Sequence, residues 1–172
     1  MKSSLVIKAG LILSIVVMTV TGAYAQETKA QKKAEAAAKI KSLIEARKYV
    51  FVAQSALPMS GRVRQITPDY HLTVTADSIV SYLPYFGRAF TAVYGATKSP
   101  LDFKTKSFDY TNTPRKKGGW EIAIKPKDQD VQSMNLTVFD DGYGSLQVTS
   151  NSRQPISFNG YIQEIKERKK KR

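Results

Sequence analysis

The chain has 172 residues, a formal charge of +13 and no cysteine. Lack of cysteine excludes disulfides, thiol catalysis, thiolate metal sites and lipid attachment through a cysteine. A single histidine makes a zinc site or a histidine-based triad a poor expectation, because such sites draw on several imidazole or thiolate groups.

The first 25 residues read as a secretory signal peptide. Lys2 and Lys8 supply a positive start, and residues 9–20 form an uncharged, mostly apolar run. Ala23-Tyr24-Ala25 fits the small-x-small pattern of a signal peptidase site, with the cut before Gln26. The apolar run is too short for a membrane anchor, since a spanning helix needs about 20 residues. The expected location is periplasmic or secreted, with no transmembrane span after cleavage. Residues 26–172 are 147 in number, enough for one domain that folds without disulfides.

Much of the positive charge lies at the two ends. Residues 26–48 carry seven basic and three acidic side chains, and residues 166–172 carry six basic and one acidic. The stretch 49–165 holds twelve basic and ten acidic, a net of +2. A nucleic-acid partner is therefore not expected. The tail is too charged to pack and reads as disordered. Lys166, Arg168, Lys169, Lys170, Lys171 and Arg172 could hold the protein on an anionic surface, or serve only as a solubilising tail.

Residues 28–47 are expected to be helical. Thr28 and Gln31 have capping-box spacing, Ala36-Ala37-Ala38 favours helix, and Ile40, Leu43 and Ile44 form a short apolar stripe. From Tyr49 the period becomes two. Tyr49, Phe51 and Ala53 alternate with Val50 and Val52, as a strand buried on both faces would. Further alternating runs centre on Leu72, Ser81, Phe103, Ile122, Leu136, Leu146 and Phe158. Asp140-Asp141-Gly142 reads as a tight hairpin turn. The fold class is mainly β (α+β): an N-terminal helix, then an antiparallel meander of about eight strands over 49–165. It forms either an open curved sheet or a small barrel.

Several segments together carry a resemblance: Ala56-Leu57-Pro58-Met59, Ser81-Tyr82-Leu83-Pro84-Tyr85-Phe86-Gly87-Arg88-Ala89, Gly118-Gly119-Trp120-Glu121-Ile122 and Pro155-Ile156-Ser157-Phe158-Asn159-Gly160-Tyr161-Ile162. Over roughly residues 28–163 the chain resembles an uncharacterised exported family of Bacteroidetes-type Gram-negative bacteria, a domain of unknown function. The resemblance implies a periplasmic or secreted β-rich domain and brings no catalytic residues. The basic tail lies outside it.

No constellation of residues points to catalysis, a metal or a cofactor. Asp128-Gln129-Asp130 lacks the ligand-rich, glycine-punctuated loop of a calcium site. His71 reads as a solvated strand residue. The unusual segment holds Tyr82, Tyr85, Phe86, Arg88 and Tyr94 around Pro84 and Gly87. Aromatics and arginine on an interrupted strand suit a binding surface, but an aromatic stripe next to strands is more often packing, so a packed end of the sheet is the favoured reading. The leading expectation is a non-enzymatic cell-envelope binding module for a small apolar ligand, a glycan or an envelope protein. The alternatives are an electrostatic adaptor working through its basic termini and, with least support, an envelope hydrolase.

Overall fold

The computed structural model describes residues 31–90, 99–116 and 118–165. The chain divides into two compact units between Ala36 and Ala37. In the first, the described residues 31–36 are helical and exposed. The second holds the rest of the helix and every strand. Helix α1 spans 31–45. It is followed by β1 (Tyr49–Pro58), β2 (Arg64–Gln65), β3 (His71–Val74), β4 (Ile79–Tyr82), β5 (Asp102–Thr105), β6 (Phe108–Pro114), β7 (Trp120–Pro126), β8 (Val131–Val138), β9 (Tyr143–Ser150) and β10 (Ile156–Gln163). Signal peptide, Thr28 and basic tail lie outside the described residues, and no described helix is long and apolar enough to cross a membrane.

All pairings are antiparallel, in the order β5-β4-β3-β1-β10-β9-β8-β7-β6, with the two-residue β2 also on β1. The two ends of this order, β5 and β6, are joined by Lys106 and Ser107 alone. So short a link cannot span a flat sheet of nine strands, because neighbouring strands sit about 4.8 Å apart. The sheet must curl until its ends meet. In an alternating order of nine, the first and last strands also run in the same sense. Strands β5 and β6 are therefore two halves of one bent stave, which leaves β4 and joins β7. The result is a nearly closed barrel of eight staves.

The bend is pinned by side chains. The Thr105 hydroxyl donates to Asp128 at 2.7 Å and accepts from the Ser107 N–H at 2.9 Å. The Lys127 N–H donates to the Ser107 carbonyl at 2.9 Å. The chain can thus change partners without stranding buried polar groups.

Inward positions recur at period two, as expected. Tyr49, Phe51, Leu72, Val74, Ile79, Ile122, Ile124, Met134, Leu136, Val138, Leu146, Val148 and Phe158 are all buried. Buried Ser81 is satisfied, its hydroxyl donating to the Leu101 carbonyl at 2.6 Å. The β1 strand is buried on both faces from Phe51 to Ala53, as its apolar run implied. Ile40 and Ile44, one turn apart on α1, join the same core. Asp140-Asp141-Gly142 forms the expected turn. Gly142 adopts φ +84° there, and the Tyr143 N–H donates to Asp141 at 3.0 Å. Asp140 reaches across to accept the Gly119 N–H at 2.8 Å, tying this hairpin to the start of β7.

Tyr49 makes the core sensitive to alkali. Its hydroxyl lies 3.3 Å from that of Tyr110. Burial, with Tyr110 beside it, pushes its pKa well above the usual tyrosine value. In the unfolded chain a tyrosine ionises near about pH 10. Stability from holding Tyr49 neutral is thus complete below that pH and is lost as pH rises toward the folded value. The loss for one such group approaches about 1.4 kcal/mol per pH unit. Urea midpoints between pH 9 and 11 should fall more steeply for the native chain than for Tyr49→Phe. Parallel slopes would show that Tyr49 ionises freely in the folded protein.

Candidate functional site

The barrel interior is filled by side chains, so the surfaces available for recognition lie on its outside and at its two ends. At one end, three segments meet: 58–64 after β1, 84–90 after β4, and 151–155 between β9 and β10. Pro84 and Gly87 interrupt the strand pattern, so the chain leaves the sheet after β4. Its course is then held by contacts with 151–155. The Gln154 N–H donates to the Arg88 carbonyl at 3.0 Å, the Phe90 N–H to the Ser152 carbonyl at 2.8 Å, and Ala89 bridges to Arg153. The Tyr85 hydroxyl lies 2.9 Å from the carbonyls of both Arg88 and Gln154. Gly87 leaves room for that ring, since a Cβ there would collide with the Tyr85 hydroxyl. The Ser60 hydroxyl reaches the Gln154 side chain at 3.4 Å. Segment 151–155 is therefore the hub of this rim.

Two arginines lie on aromatic faces here. The Arg64 guanidinium sits 4.8 Å from the Phe86 ring centre, and that of Arg153 sits 5.6 Å from the Tyr85 ring centre. Each such contact contributes roughly 0.5–1 kcal/mol at an exposed site and fixes where the cation points. The Arg153 Nε is buried without a hydrogen-bond partner. Around these pairs stand three exposed apolar side chains, Met59 at 71%, Val63 at 58% and Phe90 at 68% exposure. Segments 58–64, 84–90 and 151–155 contain Arg62, Arg64, Arg88 and Arg153 and not one carboxylate. The adjoining carboxylate is Asp130, which accepts hydrogen bonds from Ser150 and Ser152. Those bonds, and Arg153 nearby, hold its pKa below the usual aspartate value.

The predicted binding cluster does not hold together as one surface. Tyr85, Phe86 and Arg88 share the rim. Tyr82 does not, because it alternates with inward Ser81 and Leu83 and so points outward from β4. There it stacks on Tyr70, ring centres 5.3 Å apart, with His71 tilted against it. Tyr94 lies outside the described residues. His71 is half-buried, and its Nδ1–H donates to the Asp69 carbonyl. Arg64 and Arg153 escaped the sequence reading because each is distant in the chain from the aromatic ring it covers. The available signal was weaker: arginines in three separate turns, none with an acidic neighbour in its own segment.

A concavity of about 520 Å³ lies between residues 41–47 and the β6–β7 end of the barrel. Lys41, Glu45, Arg47, Asn112, Pro114 and Trp120 line it. Arg47, at φ +48°, ends the helix and places its guanidinium 4.6 Å from the Tyr110 ring centre. Lys41 pairs with Glu45 at 3.8 Å. Its charges are thus already met by the protein's own groups. Among the described residues no group of His, Asp and Glu side chains is arranged to hold a metal ion.

A family model for a domain of unknown function, DUF4251, matches residues 31–162. The chain belongs to the DUF4251 family. This span takes in α1 and nearly all of the barrel, in agreement with the extent of the resemblance seen in the sequence. A crystal structure of a DUF4251 family protein from Bacteroides eggerthii DSM 20697 is similar, with a TM-score of 0.54 at 13% identity. The similarity covers 75% of this chain and 87% of that one. At such identity the likeness speaks for the DUF4251 fold alone. No curated protein matches the chain.

Proposed function

We propose that this DUF4251 domain is a non-enzymatic binding module of the cell envelope, exported with loss of residues 1–25, and that it binds through the loop rim. The observation that carries this reading is the rim's chemistry. Arginines seated on aromatic rings are surrounded by exposed Met59, Val63 and Phe90, in loops without a carboxylate. Arginine and aromatic side chains dominate the energetics of interfaces, and loops on a rigid scaffold position them. A barrel tied at its bend, with Ile40 and Ile44 packed into its core, is such a scaffold. Several acidic groups are already engaged in structural contacts, which favours binding over hydrolysis. Asp128 accepts from Thr105, Asp130 from Ser150, Asp140 from the Gly119 amide, and Asp109 pairs with Lys127 at 2.7 Å.

The test is co-sedimentation with isolated cell-envelope fractions from a Gram-negative bacterium. The triple variant Arg64→Gln, Arg88→Gln, Arg153→Gln should keep its thermal midpoint within a few degrees, since each cation–π contact contributes at most about 1 kcal/mol. It should lose at least about tenfold in binding, as the loss of a cluster of interface arginines does. Undiminished binding by a folded triple variant would remove the rim as the binding surface.

A further inference from the structure

Resting on that reading, we infer that the rim's partner is the anionic headgroup layer of a lipid membrane, with the arginines meeting lipid phosphates and Met59, Val63 and Phe90 entering the layer beneath. Two independent features select this partner. The first is charge: Arg62, Arg64, Arg88 and Arg153 lie in three loops that contain no carboxylate. The second is apolar exposure on the same loops, which isolated phosphate or a hydrophilic polymer would leave in water. Membrane-surface attachment needs both terms, an electrostatic one for the headgroups and buried apolar area below them. A planar guanidinium pairs with phosphate through two parallel N–H donors.

The other exposed apolar residues separate the two ends of the barrel. Phe139 and Tyr143 are also exposed, at the β8–β9 turn, but Asp140 and Asp141 stand between them. Arg115, which covers the Phe139 ring, is met by Glu121 at 3.4 Å, so its charge is opposed there. The outer wall around β6 and β7 carries Asp109, Thr111, Thr113, Glu121 and Lys125, mixed in charge and without large apolar side chains. Among the described residues the rim joins four arginines to exposed apolar groups, with Asp130, engaged by Ser150 and Ser152, as the adjoining carboxylate. Its contact points are tied to segment 151–155 by the Gln154–Arg88, Phe90–Ser152 and Ser60–Gln154 bonds, so little ordering of these residues is lost on binding.

The experiment uses the exported, processed chain and sedimentation with vesicles of phosphatidylcholine alone or with about 30% phosphatidylglycerol, at near-physiological salt where surface charges further apart than about 8 Å are screened. Binding to the anionic vesicles should be strong and to the neutral ones weak. Arg64→Gln, Arg88→Gln, Arg153→Gln should lower affinity for the anionic vesicles about 100-fold. Met59→Ser, Val63→Ser, Phe90→Ser should lower it at least about tenfold, by removal of buried apolar area. In a Trp120→Phe background, the indole introduced by Phe90→Trp should shift its emission to the blue on anionic vesicles and be quenched by brominated acyl chains. Circular dichroism and melting confirm that each variant is folded.

Four results would overturn the inference. One is equal vesicle binding by the arginine variant. Another is an unshifted emission from the Phe90→Trp protein. A third is binding that depends only on residues 166–172, tested by their deletion. The last is loss of binding in inorganic phosphate beyond that in chloride of matched ionic strength, which would mark a site for free phosphate. If vesicles fail while rim-dependent binding to envelope fractions persists, the lipid assignment falls and the binding-module reading stands. If both fail, both fall.

Discussion

Replacing Gly160 with alanine should destabilise the domain by about 3 kcal/mol and lower its melting temperature by roughly 10 °C. Gly160 sits in the middle of β10, facing inward between Phe158 and Ile162. It pairs with Ala53 on one side and with Gly144 on the other. A Cβ at this position would run into the Val52 carbonyl oxygen and stand 3.0 Å from the tip of the Phe51 ring. The first obstacle is backbone, so rotamer changes cannot relieve it. Strand β1 would have to move away from β10, and these two strands form the seam around which the sheet is built. Gly144 is in the same position relative to the Thr137 carbonyl. Both glycines sit where a neighbouring backbone approaches closely, a role for which strand glycines are suited. Asn159→Ala, on the exposed face of the same strand, provides the control and should stay within about 0.5 kcal/mol. Thermal and urea unfolding of the two variants decide the matter. A Gly160→Ala protein as stable as the control would mean that the seam is slack.

Ile44→Ala should cost about 3 kcal/mol, within the range of about 2–5 found for buried Ile or Leu truncations. Ile44 is fully buried, although it belongs to a helix whose other described residues are largely exposed. It works with Ile40, whose Cδ1 would stand 3.0 Å from a Cβ on Gly142. The two isoleucines fasten residues 37–45 to the barrel end where β1 begins. The Lys48 N–H donates to the Leu43 carbonyl at 3.1 Å and the Arg47 N–H to the Ile44 carbonyl at 3.1 Å, so the helix turns directly into β1. Removing Ile44 therefore opens a cavity at the entry to the longest strand. The expected result is a cooperative drop in the global midpoint, by urea or heat. If hydrogen exchange instead showed only α1 opening while the strands kept their protection, the helix would be an accessory and not part of the folding unit.

Much of the strand pattern was legible because period two is a local property. Ile122, Leu136 and Phe158 each sit among neighbours that alternate in polarity, and each faces inward as that alternation requires. The helix was legible for the same reason, through Ile40 and Ile44. Strand β6 was not. Phe108 and Tyr110 begin an alternation, but Thr111-Asn112-Thr113-Pro114 reads as a loop. Those four residues are exposed in the structure, so no apolar face announced the strand. β2 was missed because it is two residues long and exposed. Missing β6 concealed the closure, since β6 is the half of the bent stave that brings the last edge round to the first.

The candidate site divides along the same line. Pro84 and Gly87 mark the departure from the sheet in a way any reader of the chain can see, and Tyr85, Phe86 and Arg88 do fall on one rim. Tyr82 was grouped with them by proximity in sequence, yet strand alternation turns it to the outer wall. The positions that complete the rim, Met59, Val63, Arg64 and Arg153, come from turns up to 94 residues apart, the separation of Ser60 and Gln154.

By itself the sequence determined the β class, the helix that precedes it, the turns, the family and the rim's lack of carboxylates. These depend on residue type and on neighbours a few positions away. The tertiary structure alone decided that the sheet nearly closes and that Arg64 and Arg153 lie over Phe86 and Tyr85. It also decided which aromatics face the rim. Each depends on where distant segments meet, and that is set by the close approach of β1 to β10 at Gly160 and by the bend at Thr105, through contacts that no local pattern encodes.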